Sequence, residues 1–190
     1  MPSVGGTVDP DPDLMIFPNV DLTAELGSGG ELKLRLPVVI AAMGSTTVAA
    51  NNWEHLAAGA ALAGVGIVVG ENVCAMDPKA DIKNGRVLRS PAMEKRIRAY
   101  RDWQRGYGFI AVQTNVEDTR LGVHEYCIEK LQVTAVELKW GQGAKSIGGE
   151  VKLDSLERAL ELKKRGYIVL PDPDDPHGGE SLPRRGFPGV

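Results

Sequence analysis

Four short apolar runs, each followed by a stretch with helical periodicity, set the strongest limit on what this chain can fold into. The runs are residues 37–43 (PVVIAAM), 66–70 (GIVVG), 108–114 (GFIAVQT) and 134–139 (TAVELK). A short, nearly continuous apolar run with β-branched residues reads as a strand covered on both faces. The helical stretches cover residues 48–63, 91–104, 121–131 and 153–165. Ser45 or Thr46 is placed to cap the first helix, Trp53, Leu56, Ala60 and Ala63 are expected to share its buried face, and Gly64 stops it. Ser90-Pro91 opens the second helix. Residues 71–90 read as a long loop, and Tyr167–Leu170 (YIVL) as a fifth short strand.

Strand and helix alternating four times predict parallel strands joined by right-handed βαβ units. A doubly wound sheet and a TIM-barrel-like (β/α)8 fold both use that unit. Polar residues gather just after the strands, at Ser45, Glu71, Gln113 and Lys139, where a barrel assembles its site. No GxGxxG joins the first strand to its helix, as a dinucleotide-binding sheet would require. The expectation is therefore α/β, with parallel (β/α) repeats forming about half of a (β/α)8 barrel. Residues 37–170 are the half-barrel. Residues 1–36 are an irregular lead-in with a short strand at Glu31–Leu36 (ELKLRL), and residues 171–190 are a Pro/Gly-rich tail or linker.

Composition excludes several classes. There are 22 Lys+Arg against 25 Asp+Glu, a net charge of -3, so the basic footprint of a nucleic-acid binder is missing. An apolar share of 43% is too high for a disordered chain. The longest apolar stretch, residues 57–69, is short of a membrane span and broken by glycines. Cys74 and Cys127 are far apart and form no CxxC pair, so both read as small buried hydrophobes in a reducing compartment. The expected location is the cytoplasm. His55, His124 and His177 have no metal-ligand spacing, and no metal site is expected.

The densest chemistry lies at residues 136–149, VELKWGQGAKSIGG. Lys139 ends a strand, and Lys145 sits among glycines that let backbone amides approach a ligand closely. Two lysines on such a loop suit an anionic group, or else a solvated surface loop. The ELKWGQGAK…GG pattern resembles the signature of the FMN domain of glutamate synthases, usually E-I-K-x-x-Q-G-A-K-P-G-x-G-G. Residues 37–47 (PVVIAAMGSTT) resemble that family's first barrel strand and flavin-contacting turn. Residues 57–72 (AAGAALAGVGIVVGEN) resemble the following helix and the strand ending in G-E-G-G. With RGYIVLPDPDDP at 165–176, the resemblance spans roughly residues 15–176.

The resemblance implies FMN as cofactor and hydride transfer from reduced FMN to 2-iminoglutarate or a similar imine. The backbone of Ala41, Ala42, Met43 and Gly44 would pack against the flavin ring, with Gly70 and Glu71 beside it. Gln113 would hydrogen-bond the pyrimidine edge. Lys139 would sit near N1 and the C2 carbonyl, where its charge stabilises the reduced ring. Glu71, Gln142 and Lys145 would face the substrate, with Lys139 and Glu71 catalytic. Gly70-Glu71-Asn72-Val73 stands where the family has G-E-G-G, and Ser146-Ile147 replaces its Pro-Gly. With two cysteines no iron–sulfur cluster is expected in this chain. Flavin barrels hold the phosphate on loops after strands seven and eight. The missing half is therefore expected from elsewhere, either further along the same polypeptide or from a partner chain or oligomer. The alternative is a non-catalytic interaction subunit of a larger flavoprotein complex. A third reading is a sheet protein binding another phosphorylated ligand.

Overall fold

The computed structural model describes residues 19–141, 153 and 155–175. The strands and helices in chain order begin with a small hairpin, β1 (Ala24–Leu26) and β2 (Leu32–Leu34). Four strands, β3 (Val39–Met43), β4 (Gly66–Val69), β7 (Ile110–Thr114) and β8 (Ala135–Leu138), form one parallel sheet in the order β3-β4-β7-β8. A second hairpin, β5 (Asp81–Lys83) and β6 (Arg86–Arg89), lies between β4 and β7 in the chain. The helices are α1 (Thr47–Ala63), α2 (Val73–Met76), α3 (Pro91–Arg101), α4 (Val116–Arg120), α5 (Val123–Glu129) and α6 (Leu156–Lys164).

Local chemistry sets the helix ends. Thr46 Oγ1 accepts the Ala49 amide at 3.2 Å, and Gly64 closes α1 at φ +69°, where a left-handed residue returns its amide to the last carbonyls. Ser90 Oγ caps α3 through the Met93 amide, with Pro91 in the first turn. Asn115 and Asp118 form a reciprocal capping box at the start of α4.

The order of the strands follows the chain, and α1, α3 and α5 pack on one face of the sheet. Ile67, Val69, Ile110 and Val112 point into that face. They meet Trp53, Ala57 and Ala60 of α1, Met93, Ile97 and Tyr100 of α3, and Val123, Tyr126 and Cys127 of α5. The alanines let α1 lie close to the sheet. Both cysteines are buried and unpaired. The opposite face carries Ala42, Val68, Ala111 and Ala135, and at its N-terminal end Leu34 and Leu32 of the first hairpin cover it. The Gly108 amide donates to the Lys33 carbonyl at 2.6 Å and the Arg35 amide to the Gly64 carbonyl at 2.9 Å. These bonds fasten the hairpin beneath the sheet and leave the C-terminal strand tips free.

Several expectations change. The segment at 71–90 is structured: it holds α2 and a hairpin whose Asn84-Gly85 turn has φ +51° and +70°, the conformation two-residue hairpins favour. The helix expected at 121–131 shortens to α5, which starts after Gly122 at φ +67°, and a separate short helix not expected from the sequence, α4, precedes it at Val116–Arg120. The strand at 31–36 narrows to β2 and pairs antiparallel with β1. On α1 the buried residues are Ala49, Trp53, Ala57, Ala60 and Ala61, while Leu56 and Ala63 are exposed. Tyr167–Leu170 is not a strand: Ile168 is 87% and Leu170 67% exposed, and the segment joins none of the sheets.

Candidate functional site

A polar group sits where the tips of β4, β7 and β8 meet on the face away from the helices. Side chains alternate along a strand, and parallel register sets Gln113 of β7 beside Glu137 of β8. Gln113 Nε2 donates to the Glu137 carboxylate. Lys139 lies two residues on, on the same side. Its backbone amide donates to the Thr114 carbonyl at 2.8 Å, continuing the ladder past β8. From there Lys139 Nζ reaches over the tip of β7 to Glu71, at the tip of β4, at 2.8 Å. The two side chains are 28% and 20% exposed, so the pair is sheltered but open to a ligand. Gln113 is buried, and its Oε1 has no donor among the described residues. A buried acceptor without a donor is costly unless a ligand or water supplies one.

The neighbouring tip is built from backbone. The Gly70 amide donates to the Met43 carbonyl at 2.8 Å. A Cβ on Gly70 would lie 2.4 Å from the Gly44 nitrogen, and one on Gly44 would lie 2.7 Å from the Glu71 carbonyl oxygen. Only glycines allow the two strand ends to come this close. The register slips between Ile40 and Met43, a bulge that sends both side chains into the helix-side core. Ala41 is exposed and Ala42 half-buried. Behind this turn, buried Arg96 of α3 donates to the Met43 and Gly44 carbonyls, each at 2.9 Å, and lies 5.1 Å from the Trp53 ring. Burial lowers the Arg96 pKa.

On the other side of Glu71 the turn is held by α4. Asn72 has φ +65°, a conformation asparagine tolerates better than other non-glycine residues. Its amide donates to Asp118 Oδ2 at 2.9 Å, and its Oδ1 accepts from Asn115 Nδ2 at 2.9 Å. Asp118 is 1% exposed, and burial pushes its carboxyl up to about 6 against the pull of the Asn72 and Asn115 amides.

Of the residues expected from the sequence, Glu71, Gln113 and Lys139 come together, with Gly70 and the Met43–Gly44 backbone alongside. Gln142 and Lys145 lie outside the described residues. Trp140 is exposed at the end of β8. Sequence reasoning passed over Glu137, although its two-residue spacing from Lys139 already placed both on one face. It noted Asn72 only as a departure from the family's G-E-G-G and passed over Arg96, Asn115 and Asp118; the Asn-x-x-Asp capping pattern was the available signal for the last two. Among the described residues no group of three metal-ligating side chains occurs, and no helix is long and apolar enough to cross a membrane. Comparison with protein-family models, with curated proteins and with solved structures finds no match to this chain.

Proposed function

We propose that this chain provides half of a flavin barrel in a glutamate synthase-like oxidoreductase of the cytoplasm. The observation that carries the reading is the Glu71–Lys139 pair bridging β7 beside the open acceptor of Gln113. The resemblance singled out these three positions from sequence alone. The residues suit FMN: Gln113 Oε1 seeks an N–H donor and Lys139 offers a cation, while the close contact of Gly44 with Gly70 draws the tips of β3 and β4 together beside them. Reduced FMN, when bound, would supply the hydride that, with a proton, converts an imine such as 2-iminoglutarate to an amine.

The chain's own groups would bind and orient. Gln113 would accept from the ring, held in place by its bond to Glu137. Lys139 would steady negative charge at the ring's carbonyl edge, a preorganised effect. Glu71, tethered to Lys139, would face the substrate's nitrogen. Strands β3 and β8 each pair on one side only among the described residues, and a partner or second copy would complete the barrel and hold the phosphate.

FMN titration of the purified chain, followed by flavin fluorescence, tests this. Quenching is expected, with at least a ~10-fold weaker Kd for Lys139→Ala, the equivalent of about 1.4 kcal/mol. A chain that leaves flavin fluorescence unchanged, alone and with the partner identified by native mass spectrometry, refutes it. Exposed Val39, Leu138 and Trp140 favour a second reading, a non-catalytic subunit of a flavoprotein complex. A colourless chain inside a stable complex would support that one.

A further inference from the structure

The turn that carries Glu71 is held from behind by polar groups the proposed reaction does not use. Asn115 and Asp118 contact Asn72 twice, through its backbone amide and its side-chain carbonyl. The same two residues cap each other, so the first turn of α4 and the tip of β4 form one rigid piece. Asp118 Oδ1 is buried and has no hydrogen-bond partner among the described residues. The third position of a capping box does not require a carboxylate so enclosed, since the neutral amide of glutamine serves there too.

We propose that Asp118 and Asn115 are positioning residues for Glu71: their hold on Asn72 fixes where the Glu71 carboxylate stands against Lys139, and the hold slackens when Asp118 takes up a proton. The functional half of this inference rests on the flavin reading; the structural half does not. An ionised carboxylate accepts the Asn72 amide more strongly than a carboxylic acid does. Carboxylates face Asp118 from two elements, Glu71 at the tip of β4 and Glu117 on α4, and both disfavour its ionisation. Cys74 of α2, Cys127 of α5 and Tyr167 beyond α6 also face it. Each of those three is held neutral by burial, so none screens the charge. Lys139 acts through Glu71, by neutralising one of the two repelling carboxylates. With a midpoint near 6, Asp118 is about nine-tenths ionised at pH 7 and about one-tenth at pH 5. The coupling is reciprocal: a ligand that withdraws Lys139 from Glu71 raises the Asp118 midpoint.

The test is amide NMR of the full chain across pH 4.5–8. The Asn72 amide is expected to titrate with a midpoint near 6, and Asp118→Asn to abolish that titration. Glu71→Gln is expected to lower the midpoint and Lys139→Met to raise it, since both change the charge that faces Asp118; the readout a merely structural cap would not move is the pH dependence of FMN binding. Asn115→Ser keeps a capping oxygen but loses the bond to Asn72, and covers the case in which Asp118→Asn does not fold. It is expected to shift the Asn72 resonance with the helices intact by circular dichroism. In parallel, the FMN Kd of the wild type is expected to weaken several-fold from pH 7 to 5, and that of Asp118→Asn to stay flat. A flat Asn72 amide, or a midpoint indifferent to both Glu71→Gln and Lys139→Met, overturns the inference. Absence of FMN binding at every pH, with the Asn72 titration present, overturns the flavin reading and leaves the positioning role in place.

Discussion

Replacing Asp118 by asparagine removes a buried ionisable group and keeps the shape of the side chain, including an oxygen for the Asn72 amide. In the folded chain the carboxyl titrates at about 6, against an ordinary 3.8. The native state therefore binds this proton more tightly than the unfolded chain does. At about 1.4 kcal/mol per pH unit, the difference is about 3 kcal/mol. Its direction is set by the raised midpoint. The contribution is fully present below pH 3.8, is lost as the pH rises through about 6, and stays lost above it. The assay is urea unfolding of both proteins at half-unit steps from pH 4 to 8. The carboxylates of Glu54, Glu94 and Glu161, held below the usual range by Lys95, Arg89 and Arg158 respectively, lose stability toward acid. They occur in both proteins and cancel in the difference. Wild-type stability minus that of Asp118→Asn should fall by about 2 kcal/mol across this range, most of the full difference, because the unfolded chain is already partly ionised at pH 4. A difference that is level with pH, or that rises, would refute the reasoning and show that Asp118 is solvated.

Other changes probe the supports of the site. Gly70→Ala drives a methyl group into the Gly44 backbone and should cost about 2–3 kcal/mol, seen as a lower Tm; an unchanged Tm would mean the strand tips are not in contact. Arg96→Ala leaves the Met43 and Gly44 carbonyls unpaired and should cost about 2–4 kcal/mol in urea unfolding, with a near-ultraviolet circular dichroism change from Trp53. Leu34→Ala empties the contact between the first hairpin and the sheet and should cost about 2–4 kcal/mol by thermal unfolding, leaving FMN titration at the opposite end unaffected.

The centre of the parallel sheet was legible because β4 and β7 are buried on both faces, so composition alone marks them; Val68, Val69 and Val112 needed no neighbour to declare themselves. Gln113 and Lys139 were legible as polar residues ending apolar runs. Elements of three or four residues carry too little periodicity to register, which hid α2 and β1. The second hairpin did announce itself, through Asn84-Gly85 between Ile82 and Val87, and that signal went unused. The burial of Asp118 was hidden for a different reason. The Asn-x-x-Asp spacing marks a cap, but a carboxylate in the first turn of a polar helix reads as solvated, and only the packing of α2, α5 and the segment at Tyr167 around it excludes water. The run at Tyr167–Leu170 shows the reverse error, an apolar pattern with no strand beside it to pair with.

Because β3, β4, β7 and β8 stand in the order of synthesis, every strand after β3 finds its partner already made when it emerges. Each pairing closes only the segment between consecutive sheet strands, first α1, then α2 with the second hairpin and α3, then α4 and α5, and closure entropy grows only slowly with that length. The chain can therefore condense from its N-terminal end by adding one strand at a time, and no step has to wait for a distant segment to return.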